Sequence, residues 1–203
     1  MIEKFCMFLT NKMREEMPDI DDEKAEIINY GLQNIFGEVP KLFIMMAIAY
    51  FLGIWQLTLI TMLIIMPYRC VSGGVHLKTH IGCIISTCLM YCGVAYISKY
   101  IVMGSVIKYI ITFIIWVFSM VMIHYYAPAD TENVPILRKK ERKYKKIVSY
   151  CIFTVAMIIA LIIPNETISN IIIFGYFVQT CMITRLVYRL SGNQYGYEVY
   201  QNI

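Results

Sequence analysis

Charged side chains are scarce in this chain of 203 residues: Asp, Glu, Lys and Arg make up 16% of it, against 59% hydrophobic residues. Soluble domains carry about a quarter charged residues. A surface facing water on all sides is therefore excluded, which leaves an integral membrane protein. No CxxC pair occurs among the seven cysteines (Cys6, Cys70, Cys83, Cys88, Cys92, Cys151 and Cys181), and their number is odd. Most lie inside apolar runs, where Cys behaves as a small hydrophobe, so a disulfide framework is not expected. The chain has no P-loop, no dinucleotide fingerprint and no HExxH, which removes the commonest signatures of nucleotide and zinc-protease chemistry. Repeats, low-complexity segments and long linkers are lacking too, so residues 1–203 read as a single membrane-embedded domain. The first apolar run begins near Val39, behind a charged amphipathic stretch, so no cleavable secretory signal is expected at the N-terminus.

What is present is apolar sequence in helical lengths, giving an all-α, polytopic transmembrane bundle of about six spans with N-terminal amphipathic helices. Residues 1–37 interleave charged and apolar positions and predict two short amphipathic helices, the second capped by Asp21 or Asp22. Acids outnumber bases there, eight to four, which favours protein contacts over attraction to anionic lipid. Residues 39–68 would be about 45 Å long as one helix, well beyond a hydrocarbon core of about 30 Å. Gly53 at the midpoint and Trp55, a residue suited to the interface, predict a break there and a hairpin of two short arms. Further spans are predicted at 81–98, 104–126, 147–163 and 168–190, leaving 39–190 as the bundle and 191–203 as a tail. The segment 127–146 carries Arg138, Lys139, Lys140, Arg142, Lys143, Lys145 and Lys146. Positive-inside bias puts it in the cytoplasm, and alternation puts residues 69–80 and the C-terminus there as well.

The chain is organised around residues 67–88, PYRCVSGGVHLKTHIGCIISTC. An apolar region stops at Pro67, a short polar loop follows, and Cys83 opens the next apolar run. Thiol chemistry needs a partly exposed Cys, a base to take its proton and an electropositive setting, which Arg69 and Lys78 supply. If the intervening residues were helical, His76 and Cys83 would share a face about 10 Å apart, too far for direct proton transfer. Gly73 and Gly74 have backbone freedom that lets the loop fold His76 back. His80, three residues before Cys83, lies on the same helical face without any bending. Spacing alone does not choose between the two histidines. It also leaves open a metal site built from His76, His80 and Cys83, although no fourth ligand is near.

Arg69, GGVH at 73–76, Cys83 and the segment YAPADTENVP at 126–135 together resemble the accessory gene regulator protein B (AgrB) family. The resemblance extends over most of the chain in length and hydropathy. It implies a membrane cysteine endopeptidase that processes a short precursor peptide, AgrD, into a cyclic quorum-sensing autoinducer. By that resemblance the catalytic histidine falls on His76 and the nucleophile on Cys83, while His80 takes no role. The resemblance also implies a homodimer, and no cofactor or metal is expected. Arg69 is then a candidate for holding a substrate carboxylate or the oxyanion, and Gly73 and Gly74 are candidates for offering backbone N–H groups to it. Arg138, Lys139, Lys140, Arg142 and Lys143 are expected to attract an acidic tail of the precursor, or simply to mark topology and touch anionic lipid. Asp130 and Glu132 are either a third catalytic group orienting His76 or members of an exposed turn between two prolines. Gln179, polar within an apolar span, predicts an interhelical hydrogen bond. The alternative reading is a small transporter exporting a peptide, which the near absence of ionisable groups at the span centres disfavours.

Overall fold

A computed structural model of the chain describes residues 2–17, 21–75, 77, 79–132 and 135–200. Among these residues every regular element is helical: α1 (Ile2–Glu16), α2 (Asp22–Phe51), α3 (Trp55–Ser72), α4 (His80–Cys88), a π-helical turn (Leu89–Gly93), α5 (Val94–Tyr100), α6 (Ser105–Tyr126), α7 (Lys139–Ile162), α8 (Glu166–Cys181), α9 (Arg185–Leu190) and α10 (Gly196–Tyr200). The chain divides into two compact units, Met1–Ala47 and Ile48–Ile203.

In the first unit α1 lies against the early part of α2. Phe5 and Phe36 meet edge to face with ring centroids 5.3 Å apart, and Arg14 pairs with Asp22 at 2.8 Å. Asp21 accepts the Lys24 N–H at 2.8 Å, which starts α2 as the sequence predicted. The second amphipathic helix does not end near residue 37, however. It runs on as α2 for 30 residues, through Pro40. The proline removes one backbone bond, but stopping a helix in apolar surroundings would leave several groups unpaired, a larger cost.

The break at Gly53 falls where the sequence put it: Gly53 takes φ +66°, and α3 restarts at Trp55. Pro67 is no stop either. It sits inside α3, which continues to Ser72 and ends on Gly73 at φ +74°, so Arg69 and Cys70 are helical residues and not part of the loop. Between α4 and α5 the helix is continuous through the π turn, and α7 begins at Lys139, so most of the basic cluster forms its first two turns. The expected 168–190 span is broken: α8 ends at Cys181 and α9 starts behind Thr184.

By length and composition four stretches can cross a membrane: Lys24–Phe51, Ile81–Tyr100, Ser105–Tyr126 and Lys139–Ile162. Helices α3 and α8, of 18 and 16 residues, are apolar too and pack against each other. Helix α8 is central to the second unit, packing on α3, α5, α6 and α7, with Ile171, Ile172, Ile173, Gly175, Tyr176, Gln179 and Thr180 buried. Its closest approach is to α3, where a Cβ on Gly175 would strike Ile65. Nearby, Tyr68 stacks on Tyr176 at 5.0 Å and meets Phe153 edge-on at 5.5 Å. Buried hydroxyls and amides are tied across helices: Tyr68 to Thr180 at 2.9 Å, and Asn170 to the Ile101 carbonyl at 2.7 Å. Leaving such groups unpaired away from water is costly.

Candidate active site

Five helix ends meet at one end of the second unit: the C-termini of α3, α6 and α8, and the N-termini of α4 and α7. The turn that leaves α3 is tied down by backbone bonds. Gly73 N–H donates to the Arg69 carbonyl at 3.0 Å, Gly74 N–H to the Ala129 carbonyl at 3.0 Å, and Val75 N–H to the Met182 carbonyl at 3.2 Å. In return Ala129 N–H donates to the Ser72 carbonyl at 2.8 Å, so Gly73 and Ala129 form a short parallel bridge. Residues 72–74 and Ala129, more than fifty residues apart in sequence, thus lie side by side.

These bonds correct one expectation. Gly73 and Gly74 do not offer their N–H groups to an oxyanion, because both already have backbone acceptors. The glycines serve a different need. A Cβ on Gly73 would collide with the Ala129 carbonyl, and its positive φ disfavours any L side chain. A Cβ on Gly74, at φ +146°, would come 3.4 Å from Gln179 Nε2 and 3.6 Å from Arg69 Nη1.

The partner segment is clamped from its other side. Asp130 is fully enclosed, its Oδ2 3.1 Å from Arg142 Nη1 and accepting the Ile136 N–H at 2.9 Å. Arg142 also donates to the Pro128 carbonyl at 3.2 Å and stacks 4.1 Å from the Tyr197 ring. The Tyr188 hydroxyl donates to the carbonyls of Ala129 and Asp130, each at 3.1 Å. Burial pushes the Tyr188 and Tyr195 hydroxyls above the ordinary tyrosine range, so both remain donors. Asp130 is therefore no part of an exposed turn, and Arg142 faces inward. The side chains of Arg138, Lys139, Lys140 and Lys143 are exposed.

Cys83 lies half-buried in the first turn of α4. Thr79 caps that helix, its hydroxyl accepting the Gly82 N–H at 3.2 Å and its carbonyl the Cys83 N–H at 3.0 Å. The N–H groups of His80 and Ile81 stay outside the intrahelical ladder, as at any helix start. Residues 73–75, 77 and 79 are not helical, so the 10 Å separation of a continuous helix does not apply between positions 76 and 83. His76 and Lys78 lie outside the described residues. His80 is the first residue of α4.

Arg69 is held without a carboxylate. Its Nη1 donates to Gln179 Oε1 at 3.0 Å and lies 3.8 Å from Met90 Sδ. Gln179 Nε2 in turn donates to the Gly73 carbonyl at 2.7 Å and to Ser72 Oγ at 3.2 Å. The predicted interhelical bond of Gln179 is thus a bridge between α8, α3 and the turn. Tyr188, Thr79 and Arg142 were not read from the sequence as supports of this loop. A Thr three residues before a Gly at the head of an apolar run was the one local signal available.

A family model described as Accessory gene regulator B matches residues 6–183. A putative AgrB-like protein of Clostridium acetobutylicum is 29% identical over 83% of this chain and 78% of its own length. Another from Listeria innocua is 28% identical over 89% of this chain and 88% of its own. Accessory gene regulator protein B of Staphylococcus aureus is 28% identical over 78% of this chain and 80% of its own. No solved structure matches the chain.

Proposed function

The chain belongs to the accessory gene regulator B family, a membership that ties it to the agr quorum-sensing system and its AgrD precursor, and from that premise we propose that it is a membrane cysteine endopeptidase acting on an AgrD-like peptide. Together with four helices able to cross a membrane, the family makes this a membrane protein. The proposed reaction starts with attack of the Cys83 sulfur on one peptide carbonyl of the precursor. His76 takes the thiol proton and passes it to the departing amine nitrogen, and a thioester to Cys83 remains. A thiol or hydroxyl within the bound peptide then attacks that acyl carbon and closes a thiolactone or lactone ring. Its proton returns to the Cys83 sulfur. Cyclisation wins over hydrolysis where water is kept out and the internal nucleophile is held close.

The observation that supports this reading is the pairing of residues 72–74 with Ala129, which ties the end of α3 to the segment after α6, with Cys83 in the first turn of the next helix, α4. Arg69 keeps its positive charge against a neutral amide, which supports a role in attracting a carboxylate of the peptide or the oxyanion. Exposed Arg138, Lys139, Lys140 and Lys143 stand at this same end and supply attraction for an acidic precursor tail. The same cluster orients the end toward the cytoplasm by the positive-inside rule.

Co-expression with the precursor and mass spectrometry tests the assignment. An acyl adduct is expected on Cys83, and Cys83→Ala should abolish cleavage while the protein still inserts. Cleavage that persists in Cys83→Ala refutes the enzyme reading and leaves export or assembly. Loss on His80→Ala with none on His76→Ala would transfer the base to His80.

A further inference from the structure

Gln179 is fully buried, sits on the central helix, and uses both ends of its amide. Its oxygen accepts from Arg69, and its nitrogen donates to the Gly73 carbonyl and to Ser72. Among the described residues no carboxylate pairs with Arg69, although the side chain is partly buried. A carboxylate would be the stronger acceptor for a guanidinium. It would also cancel the charge, and it cannot donate to the Gly73 carbonyl. An amide is the side chain that satisfies both neighbours and leaves the charge standing.

The location gives that charge a direction. Met90, which touches Arg69, lies in the π-helical turn that continues α4, seven residues beyond Cys83 and so about 10 Å farther from the loop along the helix. Arg69 therefore packs on the continuation of the helix that carries Cys83, in a bundle where a cation without a counter-charge is costly to keep. We propose that Gln179 is a positioning residue: it fixes the Arg69 guanidinium and the Gly73 peptide at a set separation, so that an uncancelled positive charge awaits an anionic group of the bound peptide. The inference rests on the reading of Cys83 as nucleophile.

The test is single-turnover acylation of Cys83 by the precursor peptide, using the full chain in proteoliposomes, with thermal midpoints measured alongside. Gln179→Glu keeps the link from α8 to Arg69 but loses the donor to the Gly73 carbonyl, so its midpoint should fall, and the protein that folds should acylate at least about thirtyfold more slowly. A purely structural amide predicts the opposite, near-normal acylation, and a rate within threefold of wild type overturns the proposal. Combining Gln179→Glu with Arg69→Gln should cost no more than Arg69→Gln alone; additive losses would overturn it too. Should Gln179→Glu fail to fold, Gln179→Met decides: a folded protein at least about tenfold slower supports positioning, and wild-type rate or a second folding failure makes the residue structural. Cys83→Ala in the same assay separates the two levels. If it still cleaves, the enzyme reading falls; if it is dead while Gln179→Glu is normal, only the positioning role falls.

Discussion

Two arginines at the same end of the second unit are held in opposite ways. Arg142 has its charge cancelled by the enclosed Asp130 carboxylate, donates further to the Pro128 and Ile136 carbonyls, and has its face covered by Tyr197. Arg69 is gripped by a neutral amide and a thioether. The first arrangement consumes the cation in fixing the 127–138 segment. The second immobilises the cation and keeps its charge. A guanidinium in a sparsely charged bundle can thus be structural or available, and the partner decides which.

The comparison breaks first at Asp130. Removing it strands Arg142, and breaking such a pair costs about 3–5 kcal/mol. Asp130→Ala should lower the thermal midpoint in detergent by the largest margin of these variants, and processing should fall only as far as folded protein is lost. Arg69→Gln should do the reverse: precursor cleavage falls about a hundredfold, equivalent to about 2.7 kcal/mol, with the midpoint nearly unchanged. An equal destabilisation by Arg69→Gln would erase the distinction. Gly73→Ala lies between the two, since strain at positive φ costs about 1–3 kcal/mol and the clash with Ala129 separates the paired segments. Both midpoint and cleavage should drop, as thermal scans and a cleavage assay would register. The smallest effect is expected at the surface. Lys139→Gln with Lys140→Gln should weaken precursor binding a few-fold at low salt, and the difference should vanish as ionic strength rises; a titration at two salt concentrations checks it.

Helix positions were largely legible because long apolar runs in a sparsely charged chain admit little else. Gly53 could be read as a break, Gly73 and Gly74 as a turn, and Asp21 as a cap, since each effect is local. The stop at Pro67 and the end of the second amphipathic helix near residue 37 were misread. Pro40 and Pro67 each lie inside a helix, where the loss of one hydrogen bond was outweighed by the bonds kept on either side. The oxyanion role given to the glycine N–H groups failed for another reason: Gly73 closes the end of its own helix on the Arg69 carbonyl, and Gly74 donates to Ala129, which lies far along the chain. Asp130 looked like a surface acid until Arg142, twelve residues on, closed over it.

The sequence by itself determined that this is a helical membrane protein with a thiol, histidines and a cluster of cations near one helix start, because hydropathy and short-range spacing are properties of the chain alone. The tertiary structure alone decided which polar groups are already satisfied. Partners drawn from other segments establish that the Gly74 amide is occupied by Ala129, that Arg142 is neutralised by Asp130 and that Arg69 faces the neutral amide of Gln179, and no pattern within a single segment carries that information.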